Sequence, residues 1–330
     1  MLKGIAMSGA ARAVGLIMVV LLISPFLLPV FFTYTLASIF VSALLAMSLN
    51  LVLGYGGLYQ FHHAVFYGIG AYTVALVVTK FSLPAVVGFI AGPLVAAFAG
   101  LVIGWFCVRL TKLYFGMLQI SLGSLVWVIV FRWYDFTGGD NGIHDIKMPD
   151  PLSSLFPSYY FILAVVSVCI LFMYLIVKSP FGATLQAIRD NPQRSEAIGV
   201  NVRNHQLIAI VIASFFGGVA GVLFVELERS VFPSMLFWAF SLEIFIMCLL
   251  GGWYTFAGPI VGAALIVGLR TVVSIYTDYW TMILGVLLIL LIFFLPDGVM
   301  GYLLERFKPR APTAGPESSS IVPVREGGGW

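Results

Sequence analysis

Apolar runs of about 18 residues or more recur from one end of this chain to the other, and a run of that length restricts what can form. In lipid every backbone N–H and C=O must be satisfied inside the protein, so only helices or a closed barrel can span. The alternating segments of about ten residues that build barrel strands are absent. The expected fold is therefore an all-α polytopic membrane protein. A chain that is 61% hydrophobic and 9% charged leaves no room for an ordinary soluble domain. Its net charge of +3 reflects loop bias and not a nucleic-acid surface. Cys107, Cys169 and Cys248 lie in apolar segments without pairing or ligand spacing, so they read as packing residues, with neither a disulfide framework nor a metal site.

About ten transmembrane helices are expected, near residues 14–32, 36–53, 62–79, 83–107, 113–132, 160–177, 205–225, 237–250, 257–274 and 280–295. The first follows Lys3 and Arg12 and continues through Pro25 and Pro29 without a small-x-small cleavage site, so it reads as an uncleaved span. With both termini cytoplasmic, the inside segments hold Lys3, Arg12, Arg109, Lys112, Lys178, Arg189, Arg194, Arg203, Arg306, Lys308, Arg310 and Arg325. That is 12 of the 17 basic residues, as positive-inside bias requires. Residues 1–308 form the expected transmembrane domain and 309–330, rich in Pro, Gly and Ser, a disordered cytoplasmic tail. The longest outside loop, 133–159, carries Thr137-Gly-Gly-Asp-Asn-Gly142, a composition that predicts tight turns.

A polar island interrupts the apolar pattern between Lys178 and Gly199. Phe181, Leu185 and Ile188 recur at helical spacing and share one face of a short amphipathic helix. Asn191 reads as an N-cap, Pro192 as the first helical residue and Gly199 as a left-handed stop. A folded element on the membrane surface at 178–204 suggests that something docks there.

Two spans are short and glycine-interrupted. One follows Gly54-Tyr-Gly56-Gly57; the other ends at Gly251-Gly252. Their surroundings are alike, Gly-Gly-Leu-Tyr-Gln-Phe at 56–61 and Gly-Gly-Trp-Tyr-Thr-Phe at 251–256, either an internal repeat or a coincidence. Paired interruptions point to a substrate path, because unwound backbone survives in a membrane only where protein surrounds it.

Enzyme signatures are missing: no Gly-Lys dipeptide for a phosphate loop and no His-Glu-x-x-His. His62 and His63 point about 100° apart on a helix, a poor metal pair. Glu243, inside a span, is either a path-lining group or a structural acceptor for a neighbouring helix. Asn50, Gln60, His62 and Gln119 are the other candidate path groups, each also readable as helix–helix glue, as are Ser121 and Ser124. Gly217, Gly218 and Gly221 read as close-packing positions.

Taken in order, several stretches resemble the LivM/LivH-type permeases of branched-chain amino-acid ABC importers, LivM more closely, over about residues 36–304. They are Leu49-Asn-Leu-Val-Leu-Gly-Tyr-Gly-Gly-Leu58, Phe66-Tyr-Gly-Ile-Gly-Ala-Tyr72, Thr137-Gly-Gly-Asp-Asn-Gly-Ile143, Ser179-Pro-Phe-Gly-Ala-Thr-Leu-Gln-Ala-Ile-Arg189 with Glu196-Ala-Ile-Gly199, Leu249-Leu-Gly-Gly252 with Gly258-Pro-Ile-Val-Gly262, and Pro296-Asp-Gly-Val-Met-Gly301. The resemblance implies a permease subunit of the bacterial-type cytoplasmic (inner) membrane, not an enzyme. It implies a second homologous permease, two cytoplasmic ATPase subunits that hold ATP and Mg, and a periplasmic substrate-binding protein; this chain itself binds no cofactor. The stretch ending in Glu196-Ala197-Ile-Gly199 is similar to the family's coupling helix. Arg189, Asp190 and Glu196 would then be rim charges for the ATPase, and Leu185 and Ile188 an apolar anchor. Where relatives have a small Ser/Thr-containing stretch ending in Gly-His-Ala, this chain has Leu58-Tyr-Gln-Phe-His-His-Ala64. The bulk of Tyr59, Phe61 and His62 therefore leaves the solute open: branched-chain amino acids, or urea or another small polar or aromatic solute. A stand-alone secondary transporter or channel, or less readily an intramembrane enzyme, is the rival reading.

Overall fold

The computed structural model describes residues 2–110, 112–149, 152, 154–276, 279, 282, 283, 285, 286, 289, 290 and 298–301. The tail 309–330 lies outside them, as does most of the crossing expected at 280–295. Twelve α-helices are named here in chain order: α1 (Leu2–Leu27), α2 (Val30–Asn50), α3 (Ala64–Thr79), α4 (Ala85–Cys107), α5 (Lys112–Arg132), α6 (Tyr134–Thr137), α7 (Leu155–Lys178), α8 (Pro180–Asp190), α9 (Pro192–Ala197), α10 (Val202–Glu228), α11 (Trp238–Gly251) and α12 (Gly258–Tyr276). Six helical stretches, in α2, α4, α5, α7, α10 and α12, are long and apolar enough to cross a membrane.

The first expected span is corrected. Pro29 has no N–H to continue a helix, and the chain turns there: α1 stops at Leu27 and α2 starts at Val30, with Pro29 extended at ψ 156°. The two short, glycine-interrupted spans form close to their expected bounds. α3 has 16 residues and α11 has 14. At about 1.5 Å per residue they reach roughly 24 and 21 Å, against about 30 Å of hydrocarbon. Neither crosses by itself.

The centre of the bundle is α4 between α3 and α10. Gly88, Gly92, Ala96, Gly100 and Gly104 recur every fourth residue and place one nearly bare face of α4 against its neighbours. A Cβ on Gly88 would lie 3.0 Å from Val74 Cα, and one on Gly92 3.0 Å from the Gly70 carbonyl. On the other side, Cβ atoms at Gly100 and Gly104 would sit 2.5 Å from Ser214 Cβ and 3.1 Å from Ile210 Cγ2. These pairings run α4 antiparallel to both partners, and they put Ala64, the start of α3, near mid-depth. Gly218 and Gly221 complete the contact from α10: added Cβ atoms would meet Pro93 Cα at 3.0 Å and Ala71 N at 2.9 Å. The side chains turned outward, such as Ile90, Leu94, Phe98, Leu171 and Phe172, are exposed and apolar, as a lipid-facing surface requires.

Loops fix the two ends. Lys80 Nζ donates to the Asp135 carbonyl at 2.9 Å, so the ends of α3 and α5 share one face of the bundle. The expected tight turns form there, with Gly138, Gly139 and Gly142 at φ 79°, 59° and 73°. Ile143 and Val231 exchange backbone hydrogen bonds of 3.0 and 2.8 Å, which clamp this loop onto the stretch before α11.

The packing predicts an asymmetric response to bulk. Gly100→Leu drives a side chain into Ser214, an overpacking that costs about 1–3 kcal/mol or more and lowers the melting temperature of the detergent-solubilised chain. Gly268→Leu, with open space around its Cβ, should leave it unchanged; equal melting of both variants would refute the stripe as the packing seam.

Candidate translocation site

Two helix breaks face each other inside the bundle. At the first, α2 loosens into a π-helical turn at Leu51–Tyr55 and stops at Gly56 and Gly57, with Gly57 at φ 67°. Residues 58–63 then run without α-helix to α3. At the second, α11 stops at Gly251 and Gly252, the latter at φ 104°, and α12 begins at Gly258. The second glycine of each pair thus takes a left-handed conformation that an L side chain resists. Asn50 Nδ2 donates to the Thr255 carbonyl at 3.4 Å, and Gly54 lies against the Trp253 carbonyl. Gly298 packs on Gly252, with the distance from its would-be Cβ to Gly252 Cα only 2.6 Å. The stretch 251–256 therefore lies against the last turns before the first break, at Asn50 and Gly54, and each of the two alike stretches carries a glycine at positive φ.

Beside the first break lies a set of buried polar side chains with unpaired atoms. Asn50, Gln60, His62 and Gln119 are at most 2% exposed. Unpaired are Asn50 Oδ1, both amide atoms of Gln60, both ring nitrogens of His62 and Gln119 Oε1. Gly116 and Gly123 bring α5 against the non-helical stretch: their Cβ atoms would be 2.7 Å from Phe61 Cδ2 and 2.5 Å from His62 Cγ. Gln119 is on the same stripe, three residues after one glycine and four before the other, so it faces that stretch. Phe61 packs between Tyr59 and Phe245, at ring separations of 6.2 and 5.7 Å. Across the site, Ser241 Oγ accepts from the Ala64 N–H at 3.0 Å and ties the start of α3 to α11.

The fifth expected path group behaves differently. Glu243 pairs with Arg270 on α12 at 3.4 Å, which gives it a structural partner in the α11–α12 hairpin. His63, weighed in the sequence only with His62 as a metal pair, has its Nε2 on Ser48 Oγ at 2.7 Å and its Nδ1 unpaired, and Trp253, which sequence reading did not single out, has an unpaired Nε1. The adjacent histidines and the Trp of the second glycine motif were the available signals. Among the described residues no group of three His, Cys, Asp or Glu side chains gathers to hold a metal.

The polar island folds as α8 and α9. Ser179 Oγ accepts from Gly182 N–H at 3.4 Å, and Asn191 Oδ1 accepts from Arg194 N–H at 2.9 Å with Pro192 opening α9. Gly199 stops the element at φ 91°. Leu185 and Ile188, the expected apolar anchor, are 0% and 1% exposed, so in this chain their side chains are packed inside the protein and are not presented on its surface. Burying them contributes about 1.5–3 kcal/mol each to seating α8. Phe181 adds a stack on His205 of α10 at 5.9 Å. Arg189 also turns inward, its Nη1 donating to the Gly54 carbonyl at 2.7 Å. The free surface is instead Asp190, Arg194, Glu196, Ala197, Gly199 and the 76% exposed Ile198.

A helical membrane bundle with paired glycine breaks and a surface helix hairpin now has a counterpart among known proteins. Residues 31–292 match the family described as branched-chain amino acid transport system / permease component. The chain belongs to this family. It is 29% identical over 289 residues to the high-affinity branched-chain amino acid transport system permease protein LivM of Escherichia coli (strain K12), covering 78% of this chain and 67% of that one. It is 24% identical over 314 residues to the probable branched-chain amino acid transport permease protein LivM of Methanocaldococcus jannaschii, covering 78% and 89%. A shorter match, 25% over 141 residues and 41% of each chain, is to the guanosine ABC transporter permease protein NupQ of Bacillus subtilis (strain 168). No solved structure gives a significant match. The permease is thus a multi-pass membrane component of a transport system, and its relatives are transport subunits, not enzymes.

The unpaired groups make a stability prediction. An unsatisfied buried polar group costs about 1–3 kcal/mol, so Gln119→Leu, which removes one without changing shape much, should hold or raise the melting temperature of the permease. A fall of several degrees would mean that Gln119 is a structural hydrogen-bonding residue and not a path group.

Proposed function

We propose that the permease passes a branched-chain or related amino acid across the cytoplasmic membrane, along a path lined by Asn50, Gln60, His62 and Gln119. The observation that carries this reading is the set of buried amide and imidazole atoms with no partner at a break in the helices. Native proteins leave few such groups, and a solute or water passing between helices is what would satisfy them. α3 starts beside them, so the positive end of its dipole faces the site and suits a carboxylate. The neighbouring aliphatic and aromatic surface of Phe61 and Phe245 suits an apolar side chain. The LivM relatives support the same solute class.

The excess of basic residues around α8 and α9 supports a cytoplasmic position for them in this reading. Partner ATPases, holding ATP and Mg, would engage Asp190, Arg194, Glu196, Ala197, Ile198 and Gly199. A second homologous permease would complete the bundle pair, and a periplasmic binding protein would deliver the solute to the 133–159 side. Movement of α8 and α9 would rock the bundle between outward and inward openings.

A nucleoside is the second reading. It is favoured by the partial match to a guanosine permease and by the Tyr59–Phe61 stack, an aromatic surface of the kind on which a base could lie, beside amides that could meet its edge.

Two measurements test these statements. Purified gently from its membrane, the permease should bring a second permease and ATPases with it. A lone chain that transports in proteoliposomes down a gradient would instead establish a stand-alone carrier. In the intact system, Gln119→Leu and His62→Phe should each lower leucine uptake at least about tenfold, the equivalent of one lost buried hydrogen bond. Unchanged leucine uptake with impaired guanosine uptake would favour the nucleoside. Gly199→Trp should uncouple uptake while the bundle still folds, because nothing lies within 4 Å of its Cβ and the strain is confined to a backbone at φ 91°.

A further inference from the structure

Arg189 sits at a junction that its sequence position does not announce. It is the penultimate residue of α8, on the same side of that helix as the buried Leu185 and Ile188. Its guanidinium makes three different contacts, two through its nitrogens and one over an aromatic ring. Nη1 donates to the Gly54 carbonyl, in the last turn before the first break, at 2.7 Å. Nε and Nη2 both donate to Asp190 Oδ1, at 3.0 and 2.9 Å. Its Cζ lies over the ring of Tyr254, in the second break, 5.3 Å from the ring centre. The aliphatic stem fills the space over Gly57: a Cβ there would fall 2.7 Å from Arg189 Cγ. One side chain therefore touches both breaks at the glycine motifs, while its backbone belongs to the surface helix.

We propose that Arg189 is a positioning residue, a latch through which displacement of α8 reaches both helix breaks together. The claim rests on the importer reading for its functional consequence, but the latch itself is a property of this chain. The chemistry selects arginine. A carbonyl at a helix C-terminus carries the negative end of the dipole and lacks an intrahelical donor, so it draws a cation. Only a planar fork can give one nitrogen to that carbonyl, another edge to Asp190 and a face to Tyr254 at once; an ammonium is a point charge. The breaks themselves are the compliant places in the bundle, since their backbone is not held in a continuous helical ladder. Leu185, Ile188 and the Phe181–His205 stack make α8 a rigid handle on the other side of the latch. The breaks also touch each other through Asn50 and Thr255, so a pull on Gly54 is shared with Tyr254.

The experiment is hydrogen–deuterium exchange of the full chain in lipid nanodiscs, followed for peptides covering 51–63 and 251–258. Arg189→Gln should speed exchange at both breaks by roughly tenfold, the loss of one charged hydrogen bond, with α4 and α10 unchanged. Arg189→Lys should not restore protection at both. Tyr254, 59% exposed, provides a variant that leaves the core intact: Tyr254→Leu should loosen the second break and Tyr254→Phe should not. In the transporter purified with its partner subunits, Arg189→Gln should keep ATPase association and hydrolysis within about twofold while uptake per ATP falls at least about tenfold. Wild-type exchange at both breaks in Arg189→Gln would overturn the latch. So would loss of the ATPase with the breaks unaffected, which would return Arg189 to a partner-contact role. Absence of any ATPase from the wild-type preparation would count against the importer reading alone, and the exchange result would still decide the latch.

Discussion

Backbone that leaves a helix at membrane depth has to be enclosed by protein, and this structure is organised around two places where that happens. An unpaired N–H or C=O in hydrocarbon costs several kcal/mol, roughly the scale of a whole domain's stability. The breaks at Gly57 and Gly252 are possible because other helices come unusually close. The every-fourth-residue stripe of α4 lets α3 and α10 approach to backbone contact, and Gly116 and Gly123 let α5 lie on residues 59–62. The second break is shut by Gly258, Gly262 and Gly298, each against another backbone. Among the described residues many glycines serve this close approach, and others, such as Gly138 and Gly142, serve the turn they make.

Charge is distributed in keeping with that enclosure. Two carboxylates inside the bundle are engaged in structure: Glu243 with Arg270 between α11 and α12, and Glu228 with Tyr34 between α10 and α2; a third, Glu226 on α10, is 1% exposed with neither carboxylate oxygen hydrogen-bonded. The candidate path is left with amides and imidazoles, which can hydrogen-bond a zwitterion or a base without holding it strongly. A permease that receives its solute from a separate binding protein has no use for a deep well of its own, since a tightly held solute is slow to leave. The scarcity of charge near Gln60, His62 and Gln119 suits passage more than storage.

The surface helices show how a side chain's spacing and its destination can differ. The helical period of Phe181, Leu185 and Ile188 and the capping residues Asn191 and Pro192 are local properties, and α8 and α9 form where that pattern places them. Which way the apolar face turns is not local. It turns into the bundle because apolar surface from α7 and α10 is available there, and Ile198, outside the periodic pattern, is left exposed. The four candidate path residues were legible for a related reason: a polar side chain inside an apolar run is conspicuous, whereas His63 was weighed only as a metal partner of His62 and Trp253 stood out only as part of the second glycine motif. Glu243 was conspicuous for the same reason, yet its partner is 27 residues away on another helix.

The sequence by itself determined the class of fold, the approximate position of the helices, the capped surface element, the two glycine breaks and the family. Each follows from period, length, cap chemistry or motif order, which act over a few residues or a single helix. Only the tertiary structure decided that α3 and α11 are partial spans, that the two breaks touch, that Leu185 and Ile188 belong to the bundle, and that Arg189 reaches Gly54 and Tyr254. The contacts that decide them join residues 65 to 205 positions apart. They depend on which helices pack together, and helix packing in lipid is set by the fit of small residues across whole faces, a property no single segment carries.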